Sequence, residues 1–210
     1  MILALLTLET DSPPSGVVTF QQILEKRYAA YLHTPMTPFE NQNFYLAVKP
    51  YHAGIFPFMV LDLMIHARAL PSHWLFAHDI LPYSTSEGQV FIDDVVGKQL
   101  QDLSETLTTT EPMMTFKGFG NRIDIGLNAL SLLYIEILSS LTKVEAGVLS
   151  ILRELQFEKY KDPLNVRTFG LQKQVATRLD KSPVAIHKSM RSAKYMLLAD
   201  TATSMKNMMV

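Results

Sequence analysis

Residues 171–193 read LQKQVATRLDKSPVAIHKSMRSA, and this order predicts two short helices joined by a tight turn. At helical spacing, the first predicted helix would bury Leu171, Val175 and Leu179. Ala176 is small enough to let a second helix cross closely. The turn falls on residues 180–182, where Asp180 adopts a left-handed backbone conformation more readily than most residues. The stretch therefore predicts a helix-turn-helix.

The second predicted helix has a strong start signal. Ser182 is a favourable N-cap, and Pro183 falls at the first helical position, where its missing amide hydrogen costs nothing. The buried face of this helix would consist of Ile186, Met190, Ala193 and Leu197. The opposite face would carry short apolar groups followed by cations, namely Val184, Ala185, His187, Lys188, Arg191 and Lys194. This order is typical of an element whose first turns meet base edges while later residues hold phosphates.

A supporting helix is predicted directly upstream of this motif. Residues 142–145 read TKVE, which matches a capping box between Thr142 and Glu145. Apolar residues then follow with a helical period, at Val144, Val148, Ile151, Leu152 and Leu155.

Residues 143–194 resemble region four of sigma factors and the related helix-turn-helix of response regulators. The resemblance is carried by LTKVEAGVL at residues 141–149, by QVA at residues 174–176 and by residues 182–191. Asp180 stands at the turn position that is often Gly in these families. The resemblance implies double-stranded DNA as a partner.

The charge of the chain is unevenly distributed, although the formal net charge is only −1. Residues 143–210 hold 12 Lys and Arg against 6 Asp and Glu, whereas residues 1–142 hold 7 against 14. Between Lys159 and Lys194 there are 9 basic residues and 2 acidic ones. A basic module joined to an acidic body is expected when one part of a protein meets a polyanion.

The motif and the charge together predict a DNA-binding surface. Its contact residues would be Gln172, Lys173, Ser182, Val184, Ala185, His187, Lys188, Arg191 and Lys194. We expect the Lys and Arg side chains to contact mostly phosphates, and Val184, Ala185 and His187 to face bases. The alternative interpretation is an αα-hairpin that serves only as a packing unit in a helical domain.

Length and composition favour two domains, at 1–140 and 141–210, because 210 residues with 48% hydrophobic content can form one good core and a smaller module. The chain has no Cys, which excludes a disulfide framework and a thiolate metal site and fits a reducing cytoplasm. The apolar start, residues 1–8, lacks a basic flank and is interpreted as a buried strand rather than a signal peptide. Other apolar stretches are interrupted by Asp62 and Glu136, so we expect no membrane span.

The first 140 residues alternate between strand and helix patterns. Strands are predicted at 2–8, 44–48, 74–78 and 113–119, and helices at 18–32, 56–69, 89–106 and 121–140. After the second strand the chain would turn at Lys49-Pro50 and return briefly through residues 51–54. This pattern predicts an α/β (α+β) fold with a mixed sheet, followed by an all-α module.

The order strand, helix, hairpin, helix, strand resembles the ferredoxin-like core of nucleotide cyclases. Joined to a terminal helix-turn-helix, the whole chain resembles the SatD family, whose members have no well-defined activity. Cyclases need carboxylates after the first strand and in the hairpin to hold two metals. Glu9 and Asp11 follow the first strand, but residues 49–54, the expected hairpin, contain no carboxylate. We therefore expect no catalytic residues, no cofactor and no metal.

Two other groups of residues do not predict a metal site or a phosphate-binding loop. The spacings of Asp62, His66, His73, His78 and Asp79 match no familiar metal pattern. Residues 118–120, GFG, lack the rest of a phosphate loop and predict a turn between strand and helix.

The expected function is a cytoplasmic DNA-binding transcription regulator, whose first domain serves dimerisation, ligand sensing or partner docking. The apolar tail, Tyr195 to Leu198 with Ala202 and Met205, would extend the second helix and either pair with a second copy in a homodimer or pack on the body. Two alternatives remain open: an interaction module that binds an acidic protein partner, and a residual nucleotide-handling enzyme.

Overall fold

The computed structural model describes residues 2–8, 21–39, 43–66, 72–78, 85–86, 89–90 and 114–209, and it combines one main sheet with a larger set of helices. The strands are β1 (Ile2–Leu8), β2 (Leu32–Phe39), β3 (Asn43–Val48), β4 (Ser72–His78), β5 (Thr85–Ser86), β6 (Gln89–Val90) and β7 (Met114–Lys117). The α-helices are α1 (Phe56–His66), α2 (Asn121–Ser140), α3 (Lys143–Tyr160), α4 (Gln172–Arg178), α5 (Pro183–Ser192) and α6 (Tyr195–Met208). The expected mixture of α and β structure is confirmed.

The main sheet has the strand order β2-β3-β1-β4-β7. β1 pairs antiparallel with both of its neighbours, so that Leu5 lies opposite Tyr45 of β3 and Leu75 of β4. β7 joins the far edge in parallel with β4, with Phe76 opposite Phe116. β5 and β6 form a separate two-stranded pair.

Strand β2 was not predicted, because the sequence analysis continued a helix from residue 18 through residue 32. Within the described residues, helical turns cover 21–28 and end in a π-helix at Leu24–Tyr28, and the chain then enters β2. β2 contains Pro35 and Pro38. Proline has no amide hydrogen to donate to a neighbouring strand, so in a sequence it indicates that a segment is not a strand. β2 lies at the edge of the sheet and its register with β3 shifts twice, which is where proline is tolerated.

The predicted return of the chain through residues 51–54 is wrong. Residues Pro50–Ile55 form a 3₁₀ helix that leads directly into α1, with Pro50 in the first turn. The hairpin is the antiparallel pair β2–β3 instead, and its connection, 40–42, lies outside the described residues. Residues 49–54 are therefore not the hairpin at which cyclases carry a metal-binding carboxylate.

Other predictions for the first 140 residues have mixed outcomes. The strand at 2–8 and the helix at 121–140 are confirmed. The strands predicted at 44–48, 74–78 and 113–119 correspond to β3, β4 and β7 with shifted ends. Residues 89–90, expected in a helix, form β6, and 91–106 lie outside the described residues, as do 67–69, Glu9 and Asp11. Gly118 and Gly120 have positive φ values and form the expected turn between β7 and α2.

Helix α2 is tied to the sheet by polar side chains. Asn128 accepts a hydrogen bond from the Phe116 amide at 2.7 Å and donates one to the Phe116 carbonyl at 3.0 Å. Ser131 donates to the Met114 carbonyl, and Tyr134 donates to the Pro57 carbonyl, both at 2.8 Å. Within the described part of the chain, α2 alone has the length and apolar character to cross a bilayer. The bonds of Asn128 and Ser131, together with its buried face, hold α2 against β7, and the bond of Tyr134 joins it to α1.

Helix α6 packs on the body, which was one of the two alternatives for the apolar tail. It contacts α2, α1 and the 3₁₀ helix, and its buried residues are Tyr195, Leu198, Ala199, Ala202 and Met205. It does not extend α5, because Lys194 has a left-handed φ of 50° that separates the two helices. Leu197, expected to be buried, is 43% exposed as a result.

Candidate nucleic-acid interface

Helix α3 begins with the predicted capping box. The Thr142 hydroxyl accepts a hydrogen bond from the Glu145 amide at 3.2 Å, and the Glu145 carboxylate accepts one from the Thr142 amide at 2.8 Å. The expected apolar positions of α3 are buried or half-buried, apart from Val144. Val144 is 54% exposed, since it lies in the first turn and faces away from the core.

Helix α4 and its turn form as the sequence predicted. Leu171, Val175 and Ala176 are buried, and Leu179 is half-buried. The helix ends in a Schellman motif, in which the Lys181 amide donates to the Ala176 carbonyl at 2.9 Å. Asp180, in the left-handed position of this motif, has a φ of 50°, as predicted.

Helix α5 contacts both α3 and α4. Its N-cap is Ser182, whose hydroxyl accepts a hydrogen bond from the Ala185 amide at 3.2 Å, and Pro183 follows at the first helical position. Ile186, Met190 and Ala193 are buried beneath it, as predicted. The structure thus contains two helices joined by a tight turn, and both of them contact a third helix, α3.

The predicted contact residues lie on the outer side of these helices. Seven of the nine are exposed, namely Lys173, Ser182, Val184, His187, Lys188, Arg191 and Lys194. Gln172 and Ala185 are half-buried. Lys188 and Arg191, on which the DNA-binding hypothesis most depends, are exposed and not covered by the described residues of the body.

The two helices bring several of these residues to one shallow concavity of about 230 Å³. Its lining includes Gln172 from α4, His187 and Arg191 from α5, and Lys194 from the connection to α6. Thr168, in the segment before α4, lies in the same lining. Residues that are far apart in the sequence thus contribute to one cationic surface.

Among the described residues, most cations of α4, α5 and their adjoining turns have no carboxylate within ion-pair distance. The exception is Arg178, whose guanidinium lies 2.8 Å from Glu158 and 3.6 Å from Glu154, both on α3. Among the residues that the structure describes, no ion pair involves Lys173, Lys188, Arg191 or Lys194. The surface therefore keeps its positive charge.

The described residues contain a buried ionic cluster that the sequence patterns did not indicate. Asp62 of α1 lies 2.6 Å from Arg153 Nε of α3 and accepts a hydrogen bond from the Tyr28 hydroxyl at 2.8 Å. Arg27 Nη1 lies 2.9 Å from Asp62 but is not aligned for a hydrogen bond, so this contact is Coulombic. Burial by itself would raise the pKa of Asp62, but the charges of Arg153 and Arg27 lower it to about 2.

Arg153 also holds the connection between α3 and α4. Its guanidinium donates to the Pro163 carbonyl at 2.6 Å and to the Asn165 carbonyl at 2.9 Å. Gln156, one turn further along α3, donates to the Arg167 carbonyl at 3.0 Å and accepts from the Tyr195 hydroxyl at 3.0 Å. Buried side chains of α3 thus fix the backbone that leads into the helix-turn-helix.

One signal for this cluster was present in the sequence. Asp62 interrupts the otherwise apolar stretch of α1, FPFMVLDLMIH, and a buried carboxylate needs a cationic partner. In the sequence, Asp62 was interpreted as an interruption of an apolar stretch and as a possible metal ligand, not as a partner in an ion pair. Its partner Arg153 is 91 residues away, too far for any local pattern to indicate.

His66 belongs to the same cluster. Its Nδ1 donates to the Asp62 carbonyl at 2.7 Å and its Nε2 accepts from Arg27 at 3.3 Å, which is the arrangement of a neutral imidazole. Burial lowers the pKa of His66, although the Asp62 charge opposes this. Among the described residues, no three His, Asp or Glu side chains lie close enough to share a metal. The side chains of His73 and His78, and Asp79 as a whole, lie outside the described part.

Comparison of the chain with models of protein families, with curated proteins and with solved structures gave no match in any of the three.

Proposed function

We propose that the chain is a DNA-binding transcription regulator that recognises duplex DNA with α4 and α5. One observation carries this proposal: Lys188 and Arg191 are exposed, without carboxylate partners among the described residues, on the second of two helices joined by a tight turn. A helix of this kind fits the major groove with its first turns directed at base edges.

The order of residues along α5 supports a division of roles. Val184, Ala185 and His187 come in the first turns and face bases, where small apolar groups and an imidazole can meet base edges. Lys188 and Arg191 follow, and with Lys173 and Lys194 they neutralise phosphates. Ser182 and Gln172 add polar contacts at the two helix starts.

For the body, we propose the ferredoxin-like plan that the sequence resemblance implies. The strand order β2-β3-β1-β4 and the antiparallel pairing of β1 with both neighbours support it, with β7 added at the edge. We further propose a cytoplasmic homodimer in which the body, residues 1–140, provides dimerisation or sensing. This role requires no catalytic residue.

Titration of a fluorescent duplex of random sequence at two salt concentrations tests the proposal. We expect binding to weaken steeply with salt, with a slope in log–log form of about −0.9 for each phosphate contact. The double variant K188Q/R191Q should lose most of this affinity and about 2 units of slope. The variant K26Q/K117Q removes two exposed cations of the body and should bind like wild type. If K188Q/R191Q binds the duplex as tightly as wild type, the proposal is overturned.

One observation favours the alternative, an acidic protein partner. Met190, Met196 and Leu197 line the same concavity as the cations, so that an amphipathic acidic helix would find both apolar and charged contacts. Such a partner would bind with a weaker salt dependence than duplex DNA. If this protein does not bind duplex DNA at low salt, the result favours the acidic protein partner.

A further inference from the structure

The turn that precedes α4 presents an aromatic side chain to solvent. The Leu171 amide donates to the Thr168 carbonyl at 3.0 Å, and Gly170 has a φ of 76°, the arrangement of a type II turn. Phe169 occupies the leading central position of this turn and is 89% exposed. Gly170 supplies the positive φ that places Phe169 at the tip.

The backbone around Phe169 is held on both sides. Gln156 donates to the Arg167 carbonyl at 3.0 Å, and Lys159 Nζ reaches the Phe169 carbonyl at 3.4 Å. The Arg167 amide also donates to the Asn165 side chain at 3.0 Å. These hydrogen bonds hold the turn in one conformation, so Phe169 is exposed in a defined orientation. A side chain that inserts into a partner needs such a fixed orientation.

The surroundings of Phe169 are cationic. Arg167 and Lys173 flank it in the sequence, and Lys159 contacts its carbonyl. Thr168 lies in the concavity that also contains His187 and Arg191 of α5. The turn therefore adjoins the proposed DNA-binding surface, and its charge complements a polyanion rather than an apolar protein surface.

We propose that Phe169 is an apolar wedge that enters the minor groove of duplex DNA next to the major groove occupied by α5. Proteins that insert apolar side chains between base steps unstack them partially and bend the duplex. The surrounding cations hold the adjacent phosphates while the ring takes the place of a stacking neighbour. This inference rests on the proposed function. It adds a contact between Phe169 and the minor groove, and a bend in the DNA at that contact.

The test compares F169A with wild type on a random-sequence duplex of about 30 base pairs that carries a donor and an acceptor dye at its ends. We expect F169A to bind about tenfold more weakly, a loss typical of removing one aromatic contact to bases. The dyes should also report less bending in the complex, whereas the salt slope should not change because no charge is removed. F169W should retain both affinity and bending.

Tyr51 supplies a matched control, because it is 95% exposed on the 3₁₀ helix of the body. Y51A should bind and bend DNA like wild type. Because Phe169 is exposed, F169A should melt at the wild-type temperature, so that a loss of binding reports on the contact and not on folding.

The outcomes separate the wedge from the proposed function. If wild type binds duplex with the expected salt slope but F169A binds and bends it equally well, the wedge is overturned and DNA binding stands. If wild type does not bind duplex at low salt, both proposals are overturned.

Discussion

Arg153 Nε lies 2.6 Å from Asp62 Oδ1, and this contact joins the helix beneath the helix-turn-helix to helix α1 of the α/β body. Arg27 adds a second guanidinium to the same carboxylate, so that two buried cations depend on one anion. The same Arg153 holds two carbonyls of the α3–α4 connection. The cluster therefore contributes to both the stability of the chain and the position of its proposed DNA-binding surface.

Replacing Asp62 by Asn should destabilise the protein by about 3–5 kcal/mol, because Arg27 and Arg153 would remain buried without a counter-charge. Chemical denaturation measures this change in the free energy of unfolding. The control is D200N, which removes an exposed carboxylate of α6 and should change stability by less than about 0.5 kcal/mol. A loss below about 1 kcal/mol in D62N would contradict the importance assigned to the cluster.

Stability should fall at acid pH in two ranges. The pKa of His66 is lowered from 6.5 by burial, so its neutral form is favoured in the folded state and stability declines as pH falls below 6.5. The pKa of Asp62 is lowered from 3.8 to about 2, so its contribution is complete above pH 3.8 and is lost as pH falls toward 2.

Denaturation between pH 8 and pH 3 tests the first of these ranges. The variant H66N has no titrating imidazole at this position and should lose the decline that begins near pH 6.5. An unchanged profile in H66N would show that another group causes the decline.

Replacing Ser182 by Ala should lower stability by about 1 kcal/mol, because the Ala185 amide would lose its hydrogen-bond acceptor at the start of α5. S182D restores an acceptor and should recover most of the loss. S192A, an exposed serine at the other end of α5, should be neutral. Thermal melting of the three variants is sufficient for the comparison.

The left-handed φ of Asp180 makes this position tolerant of Gly. D180G should leave stability unchanged or raise it by up to about 1 kcal/mol, whereas D180V should lower it by more than 1 kcal/mol, roughly the cost of a β-branched residue at this φ. T177G, the same Gly substitution at an exposed position inside α4, should lower stability. A destabilised D180G would mean that the Asp180 side chain makes a contact of its own.

If α5 enters the major groove, replacing His187 by Ala should change which sequences are bound rather than how binding responds to salt. A lost base contact costs about 1–3 kcal/mol at one position of the site. Selection of bound fragments from random duplex DNA, performed with wild type and H187A, should give different preferences. K188Q should instead weaken binding to all sequences about equally.

Local signals allowed much of the helix-turn-helix to be predicted. The caps at Thr142 and Ser182 and the left-handed turn at Asp180 involve residues within a few positions of one another, and all three are confirmed. The functional role assigned to this motif is still a prediction.

The errors arose where tertiary structure overrides local pattern. Leu197 continues the apolar period of α5, but Lys194 breaks the helix and leaves it exposed. β2 contains two prolines that only an edge strand accommodates. The partnership of Asp62 with Arg153 depends on how α1 and α3 pack, so no sequence window contains both residues.

The pairing of Asp62 with Arg153 has a consequence for how a signal could travel. A small rotation of α1 would displace the carboxylate, and an Arg153 that followed it would pull against its hydrogen bonds to the Pro163 and Asn165 carbonyls. The entry to α4 would then shift relative to α3, altering the angle at which α5 meets a duplex. A ligand that bound the body and rotated α1 would thus change the affinity of the proposed DNA-binding surface without touching α4 or α5.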